Sequence, residues 1–149
     1  MNCCHYYQFI PGNEQVFSAD VTRVRYGCGV LKELGQEAGA LGIKRAAVYT
    51  DSRIRSSPLF EEAVSALRAE GIEAVIYDEV RVEPTDTSFK EAAQFAKSSA
   101  FDGFISIGGG SVIDTVKAAN LYSSCEGDFM DYVNAHSEAL GFTVEVEDA

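Results

Sequence analysis

The sequence predicts an α/β domain: a doubly wound, mostly parallel sheet with helices on both faces. Three observations lead there. Short apolar runs at residues 45–50, 73–77 and 104–107 alternate with stretches of helical periodicity. Two of those helical stretches stop at a glycine, Gly42 or Gly71, just ahead of the next apolar run. The last run opens directly into Gly108-Gly109-Gly110-Ser111. Strands that alternate with helices of ordinary length imply βαβ crossovers, and therefore a sheet buried from both sides.

Composition bounds the function. With 149 residues, 46% of them hydrophobic, the chain is one domain long and can build a core without disulfide or metal staples. Its 23 Asp and Glu against 12 Lys and Arg give a formal net charge of -11, which repels nucleic acid and anionic membrane surfaces. A phosphate group must then be held locally, by backbone N–H groups whose field acts at contact distance. The four cysteines, at 3, 4, 28 and 125, have no C-x-x-C spacing, and MNCCHYYQF does not look like a targeting segment. Reduced thiols in a cytoplasmic protein are expected. No run approaches the 18 or so apolar residues of a membrane helix.

The elements follow in order. Val21–Tyr26 (VTRVRY) alternates apolar and polar residues as a half-buried strand does, and Gly27-Cys28-Gly29 turns the chain. Leu31, Leu34, Ala38 and Leu41 then recur at helical spacing up to Gly42. Arg45–Thr50 (RAAVYT) is the compact strand expected at a sheet centre, and Asp51-Ser52 ends it, leaving an acid at the strand's C-terminus. A helix over Leu59–Ala69 carries apolar residues at 59, 60, 63, 64 and 67, and Glu73–Tyr77 is the next strand. Val80–Thr87 is a polar, proline-containing connection into a helix from about Phe89 to Ser99, with Ser88 and Glu91 at capping-box spacing. Phe104–Ile107 is a fourth strand and Val112–Leu121 a further helix. The last fifteen residues lose the helical period and turn acidic, as a frayed tail or an added edge strand would.

The most specific feature is ISIGGGSVIDTVKAAN at 105–120. A strand ends, three glycines allow a tight turn, and a helix starts with Ser111 as the expected N-cap and Asp114 placed to reach back to the cap N–H. Such a turn offers the amides of Gly109, Gly110 and Ser111, at a positive helix end, to a pyrophosphate. The plainer reading is a tight strand-to-helix turn with no ligand. The pattern is not G-x-G-x-x-G, because the third glycine position falls on Ile113. Asp51, ending an earlier strand at the same edge of the sheet, is the candidate acid for the ribose hydroxyls. It would repel a 2′-phosphate and so favour NAD over NADP. Alternatively Asp51 only forms a turn or caps a helix.

VYTD at 48–51, VEPTDTSF at 82–89, GGGSVIDTVKAANLY at 108–122 and DYVNA at 131–135 resemble the iron-containing (group III) alcohol dehydrogenases. Within that family the chain is most similar to the hydroxyacid-oxoacid transhydrogenase-like branch. The resemblance covers residues 3–135 and implies a Rossmann-like dinucleotide-binding domain at 1–135, followed by an acidic tail at 136–149 that does not match. It implies that Gly109, Gly110 and Ser111 contact the cofactor pyrophosphate and that Asp51 selects against a 2′-phosphate; Asp114 and Thr115 match the end of the family motif and join the candidate cofactor-binding residues, with Asp114 placed on physical grounds to support the helix start. Glu83-Pro84-Thr85 stands where many relatives carry Asn-Pro-Thr, which puts a cofactor contact at Glu83 in doubt.

In the family, iron or sometimes zinc sits on an Asp and three His of an all-helical C-terminal domain, which the resemblance places beyond this chain's end. His5 and His136, the only histidines, cannot supply such a site. Cys3-Cys4-His5 is read as a lead-in rather than a metal site. No catalytic or metal residue is therefore assigned. The resemblance implies the NAD-binding portion of a metal-dependent dehydrogenase or transhydrogenase acting on a small alcohol or hydroxy acid, inactive by itself. Two alternatives share the architecture: a non-catalytic module that pairs with a complementing C-terminal chain or forms a homo-oligomer, and part of a glycerol dehydrogenase-like zinc enzyme.

Overall fold

The computed structural model describes residues 24–124. A 3-10 turn, Val30–Glu33, leads into α1 (Leu34–Ala40), followed by β1 (Arg45–Tyr49), α2 (Ser52–Arg55), α3 (Pro58–Ala69), β2 (Glu73–Tyr77), α4 (Asp86–Lys97), β3 (Gly103–Ser106) and α5 (Gly110–Ser124). The three strands form one parallel sheet in the order β2-β1-β3. Val48 of β1 is level with Ile76 on one side and Ile105 on the other. Among the described residues the sheet thus has three strands. The alternation at Val21–Tyr26 does not add a fourth: residues 21–23 lie outside the described residues, and Val24–Tyr26 form no strand. Val24, Arg25 and Tyr26 are all exposed, so neither face of residues 24–26 is buried, and burial of one face is what fixes an alternating strand.

Two glycines punctuate the fold as the sequence predicts. α1 and α3 each end on a left-handed glycine, Gly42 at φ 81° and Gly71 at φ 74°. Gly42 N–H donates to Gly39 O and Ile43 N–H to Ala38 O; Gly71 N–H donates to Arg68 O and Ile72 N–H to Leu67 O. These are paired Schellman bonds, and each closes its helix just before a strand begins. At the second of these, Ile72 and Leu67 are both buried in the same apolar cluster.

Starts were harder to place than stops. α4 begins at Asp86, three residues before the expected Phe89, because the capping box is Thr85 with Ser88 rather than Ser88 with Glu91. Thr85 Oγ1 accepts from Ser88 N–H and Ser88 Oγ accepts from Thr85 N–H, so Ser88 already belongs to the first turn. α5 likewise begins at Gly110, which puts Ser111 inside the helix instead of at its N-cap. Gly109 O accepts from both Val112 and Ile113 N–H, closing the first turn from the backbone alone. Asp114, expected to reach back to the cap, is exposed and its carboxylate bonds to nothing among the described residues.

Burial alternates along β1 and splits the core in two. Ala46 and Val48 face a cluster with Ala38, Phe60, Val64 and Leu67, contributed by α1 and α3. Ala47 and Tyr49 face the other side, with Ala92 and Ala96 of α4 and Val112, Val116 and Ala119 of α5. Helices therefore cover both faces, as a run buried from Ala46 to Thr50 requires. Full burial of Phe60 and Leu67 contributes about 1.5–3 kcal/mol each. Leu41 and Leu59, read as core positions, are instead exposed; each lies at a helix end beyond the reach of the sheet. The boundary expected at 135/136, DYVNA, Cys3-Cys4-His5, Cys125 and His136 lie outside the described residues.

Candidate functional site

The strand order creates a crevice. β1 runs out through α2 to α3, on the face of Ala46 and Val48, whereas its neighbour β3 runs out into α5, on the face of Ala47 and Tyr49. Adjacent connections that leave toward opposite faces part the chain above the C-terminal ends of β1 and β3, the place where open α/β sheets bind ligands. Thr50 holds this point together. It is fully buried; its Oγ1 donates to Ile107 O at 2.8 Å, its N–H donates to Tyr77 O at 2.9 Å, and its carbonyl accepts from Val80 N–H at 3.4 Å. One residue thereby joins the ends of all three strands. Sequence alone does not mark Thr50 as a site residue; its one signal there is a polar side chain ending an apolar run.

The glycine turn lies one residue past Ile107, and its three glycines serve two purposes. A Cβ on Gly108 would stand 2.5 Å from Val112 Cγ2, so this glycine lets the turn close on its own helix. A Cβ on Gly109 or Gly110 would meet nothing within 4 Å. None of the three has positive φ, so backbone strain does not demand the last two. What they leave is an open, side-chain-free approach to the backbone. The amides of Gly109, Gly110 and Ser111 have no acceptor among the described residues. Three unpaired donors at the start of a fifteen-residue helix, with space above them, fit a phosphate or diphosphate.

Asp51 follows Thr50 and is brought to the same crevice. Its Oδ1 caps α2, accepting from Arg53 N–H and Ile54 N–H at 2.9 Å each. The helix-cap reading of Asp51 is therefore realised. Its other oxygen, Oδ2, carries no hydrogen bond among the described residues, so capping does not use up the carboxylate. Of the remaining candidates, Thr115 is buried and donates to Ser111 O at 2.7 Å, which makes it a support beneath the turn. Ser111 Oγ donates to Val82 O in the β2–α4 loop, which brings that loop, and with it Glu83, Pro84 and Thr85, against the start of α5.

Beneath the crevice, burial pushes the Tyr49 phenol up, helped by neighbouring Tyr77. Burial also raises Tyr77, with Glu79 and Glu91 adding to the effect and Arg81 opposing it. Both phenols stay protonated at neutral pH, and Tyr49 donates to Ala92 O at 2.9 Å. Tyr49 is therefore a core group, whereas the buried Tyr77 hydroxyl has no hydrogen-bond partner among the described residues.

The family model for iron-containing alcohol dehydrogenases matches residues 21–145. The chain belongs to the iron-containing alcohol dehydrogenase family. A hydroxyacid-oxoacid transhydrogenase, mitochondrial, from Bos taurus is 47% identical over 139 residues, covering 88% of this chain and 30% of that protein. Its namesake from Mus musculus is 44% identical over 137 residues, with the same coverage. Among solved structures, the NADH-dependent butanol dehydrogenase A of Thermotoga maritima superposes with a TM-score of 0.73 at 27% identity, covering 79% of this chain and 30% of that one. The chain thus spans about a third of the length of these relatives, and its match to iron-containing alcohol dehydrogenases carries the parallel α/β architecture with it.

The iron in the family's name finds no fitting set of ligands here. Among the described residues no three His, Cys, Asp or Glu side chains are grouped closely enough to hold a metal ion. We therefore derive no step through a metal from these residues. The glycine turn, by contrast, presents open backbone amides of the kind that receive a phosphate group.

Proposed function

We propose that this part of the chain binds NAD for an alcohol or hydroxyacid dehydrogenase reaction, of the hydroxyacid-oxoacid transhydrogenase type. The observation that carries the reading is the open cradle at Gly109 and Gly110, with three amides that lack acceptors among the described residues, at the topological switch point. In such a reaction the nicotinamide accepts or gives a hydride, exchanged with the carbon of a small alcohol or hydroxy acid. The residues of this chain bind and orient. The amides of Gly109, Gly110 and Ser111 receive the diphosphate, and Asp51 accepts hydrogen bonds from the adenosine ribose through Oδ2. Thr50 keeps those two groups at a fixed spacing by tying β1 to β3.

The net charge of -11 does not oppose this, because the contacts are at hydrogen-bond distance and the remaining charge is screened beyond roughly 8–10 Å at physiological salt. The Asp51 carboxylate, at contact distance, favours the dinucleotide that lacks a 2′-phosphate. A cytoplasmic location is proposed from the cysteine spacing alone; the relatives' names print a mitochondrial one. Titration calorimetry with NAD and NADP tests the proposal. NAD should bind the folded chain and NADP should bind at least about tenfold more weakly, as expected for a phosphate facing an unpaired carboxylate. A folded chain that takes up no NAD, or that takes both equally, overturns it.

A further inference from the structure

Ser111 lies in the cradle, yet its hydroxyl is turned to another task. Its Oγ donates to Val82 O, in the connection between β2 and α4. Its carbonyl is held from below by the buried Thr115 hydroxyl at 2.7 Å. The side chain is thus fixed at the hydroxyl and the backbone at the carbonyl, while the N–H has no acceptor among the described residues. The connection it touches is otherwise anchored at its two ends. Val80 N–H donates to Thr50 O, and Thr85 N–H donates to Ser88 Oγ. Between them Arg81, Val82 and Glu83 are exposed, and the Val82 carbonyl held by Ser111 is the hydrogen bond that secures the middle.

We propose that Ser111 is a positioning residue. Its hydroxyl clamps the β2–α4 connection against the start of α5, and only its amide is given to the ligand. A serine hydroxyl has one hydrogen to donate. While that hydrogen is spent on Val82 O, the hydroxyl cannot also donate to a phosphate, so Ser111 contributes to the cradle through its backbone. The clamp also gives the site a rim: it holds the Val82 backbone against the start of α5 instead of letting the connection swing into solvent. An order imposed on that connection before binding is one that binding need not supply. The ligand half of this inference rests on the proposed dinucleotide reading; the clamp does not.

The test uses the full chain with Ser111→Ala, Ser111→Thr and Ser111→Cys, followed by hydrogen exchange without ligand and by calorimetry with NAD. In Ser111→Ala the amides of Val80 and Thr85 should exchange about three- to tenfold faster, while those of β1 stay as protected as in the parent. Ser111→Thr, which keeps a hydroxyl on the same carbon, should restore slow exchange, and Ser111→Cys, with its weak donor, should fall between. NAD affinity should drop about two- to fivefold in Ser111→Ala and recover in Ser111→Thr. Unchanged exchange at Val80 and Thr85 in Ser111→Ala overturns the clamp, whatever the affinity does. Faster exchange in Ser111→Thr equal to that in Ser111→Ala overturns it as well. Should the parent chain bind no NAD, the dinucleotide reading fails while the exchange comparison still decides the clamp.

Discussion

The Thr50 hydroxyl donates to the Ile107 carbonyl at 2.8 Å, tying the first residue beyond β1 to the first residue beyond β3. That bond sets how far Asp51, one residue on from Thr50, stands from the glycine turn that starts one residue on from Ile107. Replacing Thr50 with Val keeps the shape and leaves the Ile107 carbonyl without its partner. We expect urea denaturation to show a loss of about 1–3 kcal/mol. NAD affinity should fall as well, because the two halves of the crevice lose their fixed spacing. Intact affinity in a destabilised Thr50→Val would show that the spacing does not depend on this bond.

The glycines of the turn should separate by role. Gly109→Ala and Gly110→Ala place a methyl group in open space at ordinary φ, so thermal stability should change little. Both should weaken NAD binding about tenfold or more, since the methyl occupies the approach to the amides. Gly108→Ala drives its Cβ against Val112 and should destabilise the fold by about 1–3 kcal/mol. Calorimetry paired with thermal melts distinguishes the three. A Gly109→Ala variant that binds as well as the parent would mean that no ligand comes that close.

Two glycines of α1 make a second contrasting pair. A Cβ on Gly35 would run into the Ala66 carbonyl of α3, a backbone atom that cannot step aside. Gly35→Ala should therefore cost about 1–3 kcal/mol or more by prising α1 from α3. The Cβ of Gly39→Ala meets nothing, and that substitution should stabilise by about 0.5–1 kcal/mol through helix propensity alone. Chemical denaturation of both variants checks the sign of each change.

Acid should loosen the opposite end of the sheet. Asp102 accepts from Arg45 N–H at 2.8 Å and from Lys44 N–H, and the Arg45 bond is the main cause holding its carboxyl below its ordinary value. A carboxyl depressed in the folded state contributes stability that is fully present above its unfolded pKa and is lost as the pH falls through the folded one. Asp102→Asn should be less stable than the parent at neutral pH, and the difference should shrink once the pH drops below about 3.9. Urea midpoints measured across that range test this. A gap that stays constant into acid would assign the effect to packing rather than charge.

The sequence by itself determined the parallel α/β plan, and the reason is local. Arg45–Tyr49 and Glu73–Tyr77 stand out as apolar runs, and Gly42 and Gly71 mark helix ends because a left-handed cap needs a residue without a Cβ. The position of Asp51 at a strand end, and of a glycine turn leading into a helix, was legible for the same reason. Helix starts were not. Several polar residues in VEPTDTSF could each cap α4, and only the backbone geometry selects Thr85 with Ser88.

What the tertiary structure alone decided is how distant segments share one place. It assigned α3 and α5 to opposite faces, which opens the crevice between β1 and β3. It divided the glycines between packing and access, since no sequence shows what a missing Cβ would have met. It also put the Ser111 hydroxyl on a carbonyl 29 residues earlier in the chain. Periodicity and turn chemistry act over a few residues and can be read in order along the chain. Contacts between residues far apart in sequence depend on how the layers stack, and that is fixed only when the whole core closes.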